Sequence, residues 1–234
     1  MPNAAGNKRE QFMNYYDDNY CRTIDTVVAG MKEIDGQKAL VLRDTIFYAQ
    51  GGGQKSDRGT LTIGDRTFHV LRSVKDENGD PILFTDCENP EELCGQPVHC
   101  ELDWDFRYTQ MKLHTCLHLM HCLIQKQLGR QLDDPLTSTI EADFAINKYK
   151  NALVAEVDAE ALEAQLNDLL AQDAEVRTWP DEQDAHYRYW NCLEWTMGCG
   201  GIHVHKLSEI GTVHVTSHTK KGNRTFTVTL NKEG

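Results

Sequence analysis

The hydrophobic period of the chain changes once, at Asp103-Trp104-Asp105, and that change decides what the chain can fold into. Before it, short apolar runs are separated by turn residues. Thr26-Val27-Val28-Ala29, Ala39-Leu40-Val41-Leu42, Thr60-Leu61-Thr62-Ile63, Thr67-Phe68-His69-Val70-Leu71 and Pro81-Ile82-Leu83-Phe84 alternate with Asp35-Gly36, Gly64-Asp65 and Asn78-Gly79. This rhythm predicts a small, mostly antiparallel β-barrel. After the change, Met111, Leu113, Leu117, Met120 and Ile124 recur at helical spacing, which predicts a long, mostly buried helix from about Phe106 to Gly129, with the glycine as its stop. A second helix is expected from Asp158 as N-cap to about Gln172, with Leu162, Leu166, Leu169 and Leu170 as its apolar stripe. Ala152 to Val157, Thr212 to Val215 and Thr225 to Leu230 read as strands. The expected class is α+β, with a β-barrel domain over residues 1–105 and an α/β core over 106–234.

Composition narrows the function classes. With 234 residues, 40% of them hydrophobic and 26% charged, the chain has enough apolar material for a proper core. No apolar run of about 18 residues occurs and Met1 to Glu10 is polar, so neither a membrane span nor a secretory signal is expected. Eight cysteines are scattered through a chain large enough to fold without staples, which points to reduced thiols and a cytoplasmic location. A net charge of −12 argues against indiscriminate nucleic-acid binding and leaves room for a local basic patch.

Three segments carry chemistry. In the long helix His114 and His118 stand four residues apart, so both imidazoles lie on one face within reach of one ion, with His121 and Cys122 one turn further on as competitors. Eighty-one residues beyond His118, Met197-Gly198-Cys199-Gly200-Gly201-Ile202-His203 supplies a thiol and an imidazole from a loop that its glycines allow to turn tightly. Three imidazoles and one thiolate suit zinc, a borderline-soft ion in a tetrahedral site; whether such a site is structural or catalytic is left open by the donor set. There is no His-Glu-x-x-His, so the protease arrangement with a built-in base is absent. The third segment, Gly51-Gly52-Gly53 flanked by Gln50, Gln54, Ser56 and Arg58, is a hairpin turn or a backbone able to approach a ligand closely. The aromatic cluster Tyr187, Tyr189, Trp190 and Trp195 reads as core before base-stacking platform, and Cys116, Cys122 and Cys192 read as small buried hydrophobes.

Three blocks in order resemble the editing domain of alanyl-tRNA synthetase, and in a chain without an aminoacylation domain they resemble its free-standing AlaX relatives. The blocks are Phe47-Tyr48-x-x-Gly51-Gly52-Gly53-Gln54-x-x-Asp57-x-Gly59, Arg107-x-x-x-Met111-x-x-His114-Thr115-x-x-His118-Leu119, and Cys199-Gly200-Gly201-x-His203-Val204 followed by Glu209-Ile210-Gly211. The resemblance covers residues 20 to 230. It implies one zinc per chain on His114, His118, Cys199 and His203, with a catalytic part for Gln54 in the editing pocket. Contacts to substrate or tRNA then fall on Gly51, Gly52, Gly53, on a hydroxyl within Leu136 to Ile140 such as Thr137, and on Lys220, Lys221 and Arg224 of the basic C-terminal stretch. Ile202 stands where the family commonly has threonine. The implied activity is zinc-dependent hydrolysis of the ester in mischarged alanine tRNA, with serine the leading candidate amino acid, by a monomer. A hydrolase of another ester or amide on the same fold, and a non-catalytic tRNA-binding module, are the rivals.

Overall fold

The computed structural model describes residues 14–184 and 187–231, which fall into two compact units. Met1–Ala49 with Asp57–Asp103 forms the first, and Gln50–Ser56 with Trp104–Gly234 forms the second, so the glycine-rich segment groups with the long helix.

The first unit is a closed six-stranded barrel in the order β1-β2-β5-β4-β3-β6, with every pairing antiparallel. The strands are β1 (Thr23–Ile34), β2 (Gln37–Leu42), β3 (Gly59–Ile63), β4 (Arg66–Lys75), β5 (Pro81–Thr85) and β6 (Pro97–Leu102). Five of them coincide with the apolar runs read above. The sixth was not anticipated, because His99 and Glu101 interrupt its apolar residues. Its burial nevertheless alternates strictly, with Val98, Cys100 and Leu102 inward, and it closes the barrel by pairing with both β1 and β3. Asp35 and Gly36, both with positive φ (52° and 74°), turn β1 into β2 as a two-residue hairpin requires. Val28, Leu40, Leu61, Val70 and Leu83 fill the interior. At the base of the glycine-rich excursion, buried Asp57 accepts the Tyr48 N–H at 2.6 Å while its own N–H donates to the Tyr48 carbonyl at 3.1 Å.

The second unit is built around α1 (Trp104–Leu128), which buries residues on nearly all sides and ends at Gly129, φ +62°. It packs against the sheet β12-β13-β8-β7, made of β7 (Thr137–Ile140), β8 (Phe144–Lys150), β12 (Val213–Lys220) and β13 (Asn223–Leu230). Helix α3 (Ala159–Leu170) covers β12. Its N-cap is Asp158, whose side chain accepts from the N–H groups of Glu160 and Ala161 at 2.9 and 3.3 Å. A separate sheet, β11-β10-β9, comprises β9 (Val176–Pro180), β10 (Arg188–Cys192) and β11 (Trp195–Gly198).

One expected strand is corrected. Within Ala152 to Val157 the chain makes a helical turn, α2 (Asn151–Val154), because a distant guanidinium satisfies its end. Arg224 Nη1 donates to the carbonyls of Val154, Ala155 and Val157 at 3.0, 3.3 and 2.8 Å, acceptors that a terminating turn leaves open. Arg224 also bonds Ser217 Oγ and lies over the Phe226 ring. Lys220 and Lys221 stay exposed at the β12–β13 turn, where Lys221 (φ 50°) and Gly222 (φ 74°) are left-handed. All eight cysteines are free, with Cys116, Cys122 and Cys192 buried as expected.

Candidate metal centre

Helix α1 presents His114 and His118 one turn apart, their rings 5.0 Å between centroids and nearly parallel at 16°. The loop after β11 brings Cys199 and His203 to the same point. The Cys199 Sγ lies 3.5, 3.2 and 3.4 Å from the Nε2 atoms of His114, His118 and His203. All four ligand atoms fall within 4.8 Å of one another. Metal–sulfur and metal–nitrogen bonds of about 2.3 and 2.0 Å at a tetrahedral angle require an S···N separation of about 3.5 Å, so the cluster fits a zinc-sized ion.

The other nitrogen of each ring is also held, and this decides the tautomers. His114 Nδ1 bonds Gln54 Oε1 at 2.8 Å, a carbonyl that only accepts. His203 Nδ1 meets Thr115 Oγ1 at 3.1 Å; that hydroxyl gives its proton to the Met111 carbonyl at 3.0 Å and so accepts from the ring. His118 Nδ1 faces the Met197 thioether at 2.7 Å. Each imidazole thus carries its proton on Nδ1 and turns the Nε2 lone pair toward Cys199, the arrangement that ligating histidines need. Trp190, fully buried, stacks on His118 with centroids 4.8 Å apart.

Burial controls the charges. It lowers the His114 pKa to about 4 and holds those of His118 and His203 well below the ordinary value, with the neighbouring imidazoles adding to the effect. It pushes the Cys199 thiol up to about 11, against the Gly201 N–H that favours the thiolate. Without an ion the cluster is neutral, with His114 and His203 buried and His118 and Cys199 half-buried; a divalent cation would supply the charge that stabilises the thiolate.

Gln54 reaches this centre because glycines let two backbones come close. Its Oε1 also accepts the Ile202 N–H at 3.2 Å, so a single oxygen ties His114 to the Cys199–His203 loop. A Cβ on Gly201 would stand 2.0 Å from His114 Cε1, and one on Gly53 (φ +81°) would stand 2.4 Å from the Ser138 carbonyl. Gly51 and Gln54 pair as an isolated bridge, and the Gly53 carbonyl accepts from Ile140 N–H at 3.0 Å. The segment is thus a tight turn closed by Gly51 and Gln54, and the Gln54 side chain it carries is 1% exposed. Ile202 serves the site through its N–H, with its side chain buried.

The cluster opens on a cavity of about 600 Å³ lined also by Gly52, Thr137, Ser138, Asn147, Tyr187 and Arg188. Ser138 Oγ donates to Asn147 Oδ1 at 2.7 Å, and Asn147 Nδ2 donates to the Leu117 carbonyl of α1 at 2.9 Å, so the Ser138 oxygen is fixed as an acceptor. Thr137 is exposed and gives its proton to the Leu136 carbonyl. Among the competitors, His121 stands apart from the cluster with Nδ1 on Tyr149 Oη at 2.8 Å, and Cys122 lies buried outside it. Lys220 and Lys221 do not line the cavity. Asn147 and Arg188 carry no signal in the sequence, whereas Thr115 and Met197 stand inside the quoted segments and their part at the centre shows only in the structure.

Residues 5–106 match the family model described as tRNA synthetases class II (A). The chain is 31% identical over 221 residues to an alanine–tRNA ligase of Haloquadratum walsbyi, which covers 86% of this chain but only 23% of the ligase. It is 32% identical over 209 residues to the alanyl-tRNA editing protein AlaX-M of Pyrococcus horikoshii, covering 85% of this chain and 87% of that protein. A second AlaX-M, from Methanosarcina barkeri, is 28% identical over 245 residues, 92% of this chain and 97% of the relative. The chain thus spans less than a quarter of the ligase it matches, while an AlaX-M 32% identical to it is covered over 87% of its length: the chain belongs to the AlaX family of alanyl-tRNA editing proteins.

Proposed function

We propose that the chain is a deacylase that hydrolyses the ester of seryl-tRNA charged on alanine tRNA, working as a zinc-loaded monomer in the cytoplasm. The observation that carries this reading is the convergence of the three imidazoles and Cys199 beside a cavity that His114, His118 and Cys199 line together with the hydroxyl-bearing Thr137 and Ser138. Among the described residues no helix is long and apolar enough to cross a membrane.

The ion would be held by His114, His118, Cys199 and His203, and when bound it supplies Lewis-acidic positive charge beside the ester. The residues of the chain do the rest. Ser138, with its proton committed to Asn147, accepts from the hydroxyl of a bound seryl group; an alanyl group leaves that oxygen unpaired, which is the asymmetry an editing site needs. Leu117 and Gly52 also line the cavity. Gln54 acts on the reaction through His114 and the Ile202 N–H, as a positioning residue rather than a group that touches the ester. Lys220 and Lys221 are offered to phosphate at the tip of their hairpin.

The test is a deacylation assay of purified, metal-loaded protein on alanine tRNA charged with serine, glycine or alanine. Serine is expected to leave fastest and alanine slowest. Equal rates on all three would remove the discriminating part of the proposal, and hydrolysis of small esters in preference to any aminoacyl-tRNA would favour the rival hydrolase.

A further inference from the structure

The four aromatic residues singled out at positions 187 to 195 do not share one fate. Trp190 is core, but its neighbours on β10 face the other way. Tyr189 pairs in register with Trp179 of β9, and the two rings stack with centroids 5.6 Å apart at 27°. Tyr187 meets Tyr189 edge-on at 5.1 Å. Trp179 and Tyr187 are 40% and 49% exposed, the most exposed aromatic side chains among the described residues. The middle ring is locked, since Tyr189 Oη donates to Asp181 Oδ2 at 2.9 Å. The row also has a direction: Tyr187 lines the metal cavity, its hydroxyl lying over Gly198 so closely that a Cβ there would stand 2.1 Å from the oxygen. Gly198 immediately precedes the ligand Cys199.

We propose that Trp179, Tyr189 and Tyr187 form a stacking platform for the unpaired nucleotides at the 3′ end of tRNA, leading the charged terminus into the metal cavity. This rests on the reading that aminoacyl-tRNA is the substrate. Three features select bases as the occupant. Ring faces on the solvent side of a sheet are how single-stranded ends are held, because every base has a π-face to offer. The row ends inside the cavity where the ester must arrive, which a patch for a protein partner has no reason to do. The local charge is mostly acidic, since Asp181, Glu182 and Asp184 flank the rings, Arg177 is engaged by Glu175 and Arg188 lies on the cavity side, so contact along the row comes chiefly through stacking. It follows that binding at this face is only weakly dependent on salt.

The test is equilibrium binding of fluorescently labelled, uncharged alanine tRNA to the metal-loaded full-length chain, with intact tRNA and with tRNA lacking its three 3′ nucleotides. Trp179→Ala and Tyr187→Ala are each expected to weaken binding of intact tRNA about 10-fold, whereas Tyr187→Phe, which keeps the ring, stays within about 2-fold of the parent. On the shortened tRNA both alanine variants are expected to bind like the parent chain, because the contact they lose is already missing. Unchanged affinity for intact tRNA in both alanine variants overturns the platform, as does an equal loss on intact and shortened tRNA. Self-association of the parent that Trp179→Ala abolishes assigns the face to a second copy and overturns it too. A parent chain that deacylates no aminoacyl-tRNA fails the functional reading itself; active deacylation with insensitive ring variants fails the platform alone.

Discussion

The barrel and the unit with the candidate metal centre are each stabilised internally in a different way. In the barrel the interior is apolar, Val28, Leu40, Phe47, Leu61, Val70 and Leu83 filling a closed sheet. At the centre of the second unit the buried groups are polar and mutually dependent: Gln54 holds His114 and Ile202, Thr115 holds His203, and Asn147 joins Ser138 to α1. A barrel of the first kind loses stability by degrees when a methyl group goes. A network of the second kind loses function first, because each partner fixes the direction of another.

Removing a metal ligand should show this most strongly. Cys199→Ser and His118→Ala are expected to lose the metal and to lower deacylation at least about 100-fold, measured by metal analysis and single-turnover hydrolysis. Hydrogen exchange of the same variants should rise in α1 and the Cys199–His203 loop while the barrel strands keep their protection; a uniform rise would mean that the two units do not differ as described.

The converse experiment is a barrel cavity. Leu61→Ala, at a fully buried position, is expected to cost about 2–5 kcal/mol by denaturant titration, with one metal retained per folded chain. Loss of metal along with stability would break the contrast.

Gln54→Ala sits between the extremes. It leaves the Nδ1–H of His114 and the N–H of Ile202 without their acceptor, a cost of about 1–3 kcal/mol, and it should weaken metal affinity or activity about 10- to 100-fold. Activity and melting temperature both unchanged would reduce the glycine-rich segment to scaffolding.

The same contrast explains what could be read from the sequence. The barrel strands were legible because each apolar run carries its own alternation, and β6 escaped only because His99 and Glu101 point outward between Val98, Cys100 and Leu102. The ligands were legible because four-residue spacing on a helix and glycines around Cys199 are local signals. What depended on distant partners was not. The turn at Asn151–Val154 exists because Arg224, some 70 residues on, caps it, and nothing within Ala152 to Val157 announces that. The pairing of Gln54 with His114 spans 60 residues, and the split between Trp190 inside and Tyr189 outside follows from the strand pleat.

A smaller effect is expected with pH. Burial lowers the pKa of His121 below its ordinary value, so the unfolded chain binds the proton more readily. Stability is therefore full above the unfolded pKa of about 6.5 and falls as the pH drops below it. His121→Gln should flatten this acid dependence in denaturant titrations between neutral and mildly acidic pH; an unchanged slope would show that the His121–Tyr149 pair does not contribute.

If the zinc-sized cluster and the hydroxyl-lined cavity beside it make one editing site, the metal and Ser138 together decide which ester is hydrolysed. Single-turnover deacylation of serine- and alanine-charged alanine tRNA, by the metal-loaded chain and by Ser138→Ala, tests this most directly. The parent is expected to hydrolyse the seryl ester at least about 100-fold faster than the alanyl ester, and Ser138→Ala to lose most of that ratio by slowing serine while metal content stays at one ion per chain. A selectivity ratio unchanged in Ser138→Ala, or full activity in verified metal-free protein, would contradict it.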